Sequence, residues 1–412
     1  MNTQTTTKRT ADLDINGEAW QETPLEQERI ARDLGPAVWT EHNGGHWLIP
    51  QFDAVVEGLR DASLYSTEKF TDENGETAGG IMIPTVPFYR YLPNESDPPS
   101  WDVFRKAISP MLSPSAVKNL QPMLESFATE VIDHMIEAGR ADFVMQVGSP
   151  VTALITLEIL GLPKTDWRFY AEPVHALFAA PETAGPGVTA IQERLAQTIQ
   201  DRKINPEQGM IDDLIRQQTE GTPITDEDIK DLIFDVIVGG FDTVAGLMAG
   251  SLKWLEDKPE IRQRLIEDEA FLRSANEEFL RYISPAVGLS RTAKQDYQIG
   301  DQQISAGDRI YFMYRSSNWD PEQFENPEEL DLERVPNRHV AFGSGIHRCV
   351  GSNLARAIFQ TVIPQFLTRV PDYRVLSYKQ YGLTNNNAGF AEMIMEFTPG
   401  ERINNPPLFE KI

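Results

Sequence analysis

From residue 100 to about 280, apolar side chains recur at three- and four-residue spacing, the period of amphipathic helices. Glycine or proline interrupts the pattern at Pro114, Gly139, Gly161-Leu162-Pro163, Gly185-Pro186-Gly187, Pro206 and Gly221, which predicts helix ends there. Ahead of this block, PAVWTEHNGGHWLIPQFDAVVEGLRD reads as two strands around a turn at Asn43-Gly44-Gly45, followed by a helix from about Phe52. Residues 71–100 show no period and carry Gly79, Gly80, Pro84, Pro87, Pro93, Pro98 and Pro99, so they predict one long irregular loop. Its tip, IMIPTVPFYRYLP, is too apolar and aromatic for a solvated coil. Short alternating runs with turns at Gly300-Asp301 and Gly307-Asp308 occupy residues 287–312, and a second such run covers 382–397. Helical spacing returns in VGSNLARAIFQTVIPQFLTRV, where Pro364 predicts a kink or an early end. The whole predicts a mainly α protein with small, segregated β sheets.

The longest period belongs to TDEDIKDLIFDVIVGGFDTVAGLMAGSLKWLED. Thr225 is placed as its N-cap, and three acids in the first turn complement the helix dipole. Without proline to about Glu256, the helix would run roughly 45 Å and cross the whole domain. Its middle holds Gly239 and Gly240, each costing about 1 kcal/mol relative to alanine. Two compensations fit: a close helix crossing through small residues, or a groove opened when the Thr243 hydroxyl bonds the Gly239 carbonyl. Asp242, in the same apolar span, needs a partner, protons to move, or a solvated edge.

Composition narrows the setting. With 37 Lys and Arg against 62 Asp and Glu, the net charge of -25 opposes non-specific binding to nucleic acid or anionic membranes. The polar opening MNTQTTTKRTADLD suggests neither secretory signal nor membrane anchor, and about residues 1–12 read as a flexible leader. No stretch reads as a transmembrane helix. One cysteine permits no internal disulfide and no all-cysteine metal site, which suits a reducing cytoplasm. Without linkers or repeats, residues 1–412 read as a single domain, soluble and intracellular.

That cysteine lies in FGSGIHRCVG, between Gly343, Gly345 and Gly351, with His347 and Arg348 beside it. The glycines suit a loop built for close approach. The helix predicted after Cys349 places the sulfur at a helix N-terminus, where dipole and exposed amides stabilise a thiolate. Such a thiolate serves as a nucleophile with His339 or His347 as base, or as a metal ligand. No H-E-x-x-H or paired Cys–His spacing supports zinc, whereas haem iron requires only one axial ligand from the protein.

The motifs F-G-x-G-x-H-x-C-x-G around Cys349, G-G-x-D-T at Gly239 to Thr243 and E-x-x-R at Glu278 and Arg281 occur in one chain and in the order of the cytochrome P-450 family, which the chain resembles from about Leu25 onward. The resemblance implies a mainly helical haem-thiolate fold, with the long central helix over the distal haem face and the Cys349 loop beneath the proximal one. It implies a monooxygenase using dioxygen and two electrons, with haem b (iron protoporphyrin IX) ligated by Cys349. Phe342, Gly343 and Gly351 carry over as the cofactor loop and Gly239 as the oxygen groove, with Asp242 and Thr243 delivering protons to dioxygen through water. Glu278 and Arg281 carry over as a structural pair met by Arg334. Propionate ligands carry over onto Arg105, Arg291 and His347, since buried haem carboxylates need charge-assisted partners. Trp101 stands where bacterial members often have histidine, and its indole N–H still donates one bond.

The family pocket maps onto Val86, Phe88, Tyr89 and Tyr91, Val236 and Gly239, Val287 and Leu289, and Ala388 and Phe390, which implies a small hydrophobic substrate. VWTEHNGGHWLIP and RVPNRH are similar to segments of camphor and cineole hydroxylases, favouring a terpenoid. Arg90 supports a rival: pointing inward, it would clamp an aromatic or fatty carboxylic acid. From another class, a non-catalytic haem-binding sensor or carrier would need no proton-delivery pair. His42, His46, His134 and His175 match no catalytic position and read as structural or surface residues. No electron-transfer module is fused, so the resemblance implies a separate ferredoxin and an NAD(P)H-dependent ferredoxin reductase, and a monomer. Arg105, Lys106, Arg348 and Arg356 would form the ferredoxin docking face.

Overall fold

A computed structural model describes residues 8–381 and 387–404 of the chain. The helix Asp226–Leu255 is its axis. Thr225 and Asp228 close a reciprocal capping box at its start: the threonine hydroxyl accepts from the Asp228 amide at 3.1 Å, and the Asp228 carboxylate accepts from the Thr225 amide at 2.9 Å. Helices Ser149–Leu160, Trp167–Ala179 and Pro181–Ile204 pack against it, and fully buried Phe234 and Phe241 anchor the contact. Gly240 lets Ser149–Leu160 pack close, because any side chain there would meet the Thr156 hydroxyl. Gly239, one position earlier, faces open space. The adjacent glycines therefore divide the two compensations, one serving a close crossing and the other a cavity.

Strands are few and peripheral. A five-stranded sheet runs in the order Val38–Thr40, His46–Ile49, Arg309–Phe312, Leu289–Ala293 and Tyr65–Ser66. Arg309–Phe312 joins His46–Ile49 in parallel, with Ile310 opposite Trp47. A three-stranded sheet combines Arg374–Gln380, Phe390–Glu396 and Arg140–Asp142. The second alternating run thus begins before residue 382, and residues 382–386 lie outside those described.

Several expectations are corrected. Pro186 lies inside Pro181–Ile204 and does not break it, and Gly187 lets that helix press against Pro173 of its neighbour. Pro364 likewise lies within Ser352–Arg369. Buried Ile358, Phe359, Val362, Ile363, Phe366 and Leu367 carry that helix on past the missing amide, so it does not end early, since six core side chains outweigh one hydrogen bond. Within the predicted loop, Lys69–Thr71 and Thr77–Gly79 pair as a hairpin. Part of the expected leader is held in place, since Thr10 bridges to Trp39 and Arg9 pairs with Asp301 at 2.9 Å, while residues 1–7 of it lie outside those described. Asp226–Leu255 is long and apolar enough to cross a membrane, contrary to expectation, but 72% of its most apolar window is buried within the protein.

Candidate active site

Between the long helix and the cysteine loop lies a cavity of about 290 Å³. Gly239, Gly240, Thr243 and Val244 form one wall, and Phe342, Gly343, His347, Cys349 and Gly351 the opposite one. The loop geometry follows from its glycines. Gly343 and Gly345 adopt φ of 67° and 69°, in the left-handed region, and a side chain on Gly345 would collide with the Leu59 carbonyl. The turn closes through Gly343 N–H to Val340 O at 2.8 Å and Cys349 N–H to Phe342 O at 2.9 Å. Helix Ser352–Arg369 starts three residues after the cysteine. Cys349 is exposed to the cavity, yet the protein packed around that cavity desolvates the thiol and pushes its pKa up, while the Gly351 N–H and then Arg105 act in the opposite direction.

His347 lines this cavity, and the other donors expected to hold carboxylates, Trp101, Arg105 and Arg291, are not among its lining residues. Trp101 Nε1 and His347 Nδ1 are buried without a hydrogen-bond partner, their rings edge-on at 6.0 Å. Burial, followed by the charge of Arg291, lowers His347 to about 3, which keeps the ring neutral. Arg291 is 5% exposed and spends one donor on the Ser290 carbonyl at 2.7 Å. Arg105 gives one to the Arg348 carbonyl at 2.7 Å, and desolvation lowers its pKa. Two guanidinium groups and two orphaned ring N–H positions around one apolar cavity fit a bound group carrying carboxylates. The one thiol on the cavity lining, Cys349, fits an iron whose remaining ligands come from a macrocycle.

On the opposite wall the Thr243 hydroxyl donates to the Gly239 carbonyl at 3.0 Å, as its spacing predicts, and Thr243 faces the cavity. Asp242 turns away from it. This carboxylate is 1% exposed and accepts from the Tyr381 hydroxyl at 2.9 Å, with His175 Nδ1 at 3.4 Å, so the solvated-edge reading falls. Tyr381 and His175 also meet directly, 2.8 Å apart, and His175 Nε2 lies 3.2 Å from the Ala391 carbonyl. Burial alone would lower the His175 pKa, but its hydrogen bond to Asp242 and that carboxylate's charge outweigh it and hold the pKa above its ordinary value. His175 is therefore tied to the carboxylate next to Thr243, a link the sequence reading missed.

Of the mapped pocket residues, Tyr91, Val236, Gly239 and Leu289 line the cavity, whereas Val86, Phe88, Tyr89, Val287, Ala388 and Phe390 do not. Phe88 sits on the outside of its loop, 88% exposed. Tyr89 packs edge-on against Phe234 at 4.8 Å, Val287 joins a satellite core with Tyr311 and Met313 that Ala388 flanks, and Phe390 points from its strand into the main core. Arg90 is no clamp: Asp228 at 2.9 Å and Asp231 at 2.8 Å hold its guanidinium away from the cavity. In its place the cavity presents an acid, Asp235, with Asn94 and Asn387. Asp235 precedes Gly239 by four residues and Thr243 by eight, so helical spacing could have placed it on the cavity face.

Behind the cysteine loop, Glu278 and Arg281 are both fully buried and paired at 2.7 Å, and Arg334 adds a third charge at 3.2 Å. Arg356, expected on a docking face, is instead paired with Glu277 at 2.6 Å, and His339 reaches the same carboxylate at 3.2 Å. Lys106 and Arg348 remain exposed.

One cavity-facing thiol, the nearby ring and guanidinium donors and a long helix notched by Gly239 fit a haem protein. A cytochrome P450 family model matches residues 187–371. Cytochrome P450 130 of Mycobacterium tuberculosis is 31% identical over 81% of this chain and 87% of that protein. Linalool 8-monooxygenase of Pseudomonas putida is 26% identical over 88% of this chain and 93% of that protein. Mycobacterium marinum cytochrome P450 CYP268A2, solved in complex with pseudoionone, superposes with a TM-score of 0.86 at 23% identity, over 95% of this chain and all of that one. The chain belongs to the cytochrome P450 family, and its activity is that of a monooxygenase.

Proposed function

We propose that this monooxygenase holds haem b between Cys349 and the long helix and hydroxylates a small hydrophobic molecule of terpenoid size. The observation that carries the reading is the cavity itself, with Cys349 on one wall, Thr243 on the other, and apolar Ile81, Val236, Leu247 and Leu289 between. Bound there, haem supplies dioxygen activation and oxygen-atom transfer. The chain's own residues do the rest. Cys349 ligates the iron as a thiolate, with the Gly351 N–H bonding the sulfur. Arg105, Arg291, Trp101 and His347 hold the carboxylates. Thr243, fixed by the Gly239 carbonyl, holds a water and passes its proton towards the cavity. Asp242, screened from the cavity, exchanges protons through Tyr381 and His175. The linalool relative supports the terpenoid reading, and the outward pairing of Arg90 weighs against a carboxylic acid. We further read the chain as one cytoplasmic, monomeric catalytic domain. Electrons arrive from a ferredoxin docked near Lys106 and Arg348 and reduced by its own NAD(P)H-dependent reductase.

Two measurements test this. In the ferric holoprotein, cyclic monoterpenoids should shift the Soret band from low-spin to high-spin at micromolar concentration and aromatic carboxylates should not. A shift with carboxylates alone would overturn the substrate reading. Thr243→Ala should keep NAD(P)H consumption within about threefold while at least about tenfold less of it becomes product, the remainder appearing as hydrogen peroxide. Unchanged coupling would mean that protons travel another way.

A further inference from the structure

The apolar wall of the cavity is broken by an acid, Asp235, that has no ion-pair partner among the described residues. Asp235 lies one helical turn before Gly239 and two before Thr243, on the same face of the long helix, roughly 12 Å along the axis from Thr243. Its two carboxyl oxygens accept from one donor, Asn94 Nδ2, at 3.0 and 3.3 Å. The neighbouring charges are committed elsewhere. Lys69 pairs with Glu95 at 2.8 Å, and Arg90 is held by Asp228 and Asp231. Arg105 gives one donor to the Arg348 carbonyl. Tyr91, Pro93, Leu112 and Val236 complete the surroundings.

A carboxyl placed this way is held neutral. Burial and then the charge of Glu95 push Asp235 up to about 8, against the weaker pull of Asn94 and Arg105. A second polar group lines the same cavity: Asn387 is 3% exposed, and neither its amide nitrogen nor its oxygen has a partner among the described residues. Buried polar atoms left without partners in a cavity are satisfied by what binds there.

Resting on the reading of this cavity as the substrate pocket, we infer that the substrate is a neutral hydrophobic alcohol, its hydroxyl held by the Asp235 carboxyl that Asn94 braces. A protonated carboxyl offers one donor and one acceptor, and a hydroxyl returns both. A ketone can only accept and an ammonium only donate. A carboxylate brings a buried negative charge with no cation to meet it.

The test uses one hydrocarbon cage carrying different polar groups. Calorimetric titration of the ferric holoprotein at pH 7 with 1-adamantanol, 2-adamantanone, 1-adamantylamine and adamantane-1-carboxylate should rank the alcohol tightest, by about tenfold over each of the others. Asp235→Leu should erase that preference to within about twofold without weakening the ketone. Asp235→Asn, which keeps a donor and an acceptor, should hold the alcohol within about threefold of its original affinity. Equal binding of alcohol and ketone by the unaltered protein overturns the inference, as does an ammonium preference that Asp235→Asn abolishes, which would mark an ion-pair site. Either result leaves the monooxygenase reading standing while the ferrous–carbonyl spectrum remains that of a haem-thiolate, so the two readings fail separately.

Discussion

Cys349→Ala should abolish the haem-thiolate ferrous–carbonyl spectrum and reduce oxygen insertion below detection. The loss follows from the loop geometry. Gly343 and Gly345 in the left-handed region turn the chain so that the thiol meets the cavity, and Gly351 places an N–H against it. No other described residue on that wall can replace it, because His347 is the nearest candidate and its side chain sits beside Trp101 at the rim. Alanine should not unfold the chain, since the thiol makes no core contact that supports a helix or sheet; circular dichroism of the variant should match the parent. A retained thiolate spectrum in this variant would remove the cysteine from the iron and return it to the nucleophile reading, for which a histidine base would then have to be found.

What the sequence makes legible is what is local. The Cys349 loop declares itself through three glycines within nine residues, and the long helix through a capping pair and an unbroken period. The hydroxyl-to-carbonyl bond of Thr243 follows from a four-residue spacing. Direction is harder to read. Asp242 and Asp235 lie seven residues apart on one helix, yet the first faces Tyr381 and His175 and the second faces the cavity. The sequence reading chose the acid beside the threonine, because nothing in a helical period names the partners brought by residues 139 and 67 positions away in the chain. Arg90 fails for the same reason, since its two acids belong to the far helix. The prolines at 186 and 364 fail differently: backbone rules predict a helix end at the first and a kink or an early end at the second, and burial along the rest of each helix carries it past the proline. Phe88, apolar by type and 88% exposed by position, shows that hydrophobicity alone does not place a loop residue in a pocket.

Glu278→Ala should destabilise the protein by about 3–5 kcal/mol, the effect of breaking a buried ion pair and leaving its partner charged and dry. On the sequence alone this glutamate and Arg281 are one more i, i+3 pair, worth under about 1 kcal/mol on a surface. The structure buries both completely. Arg281 spends its remaining donors on the carbonyls of Asn318, Pro327 and Glu329, so it cannot swing to another acid when Glu278 is removed. Arg334 and the side chain of Asn337 close on the same carboxylate at 3.2 and 3.0 Å. These last two residues belong to the segment that enters the cysteine loop, and Asn318 then holds the Val340 amide at 2.7 Å. The carboxylate therefore fixes the approach of Cys349 as well as the local fold. Chemical denaturation should show the loss in stability, and haem transfer to apomyoglobin should run at least about tenfold faster from the variant than from the parent. Glu278→Gln, which keeps the shape and one acceptor, should fall between the two on both measures. An alanine variant within 1 kcal/mol of the parent would mean that the guanidinium groups find new partners, and the network would then be a consequence of the fold rather than a condition for presenting the thiolate.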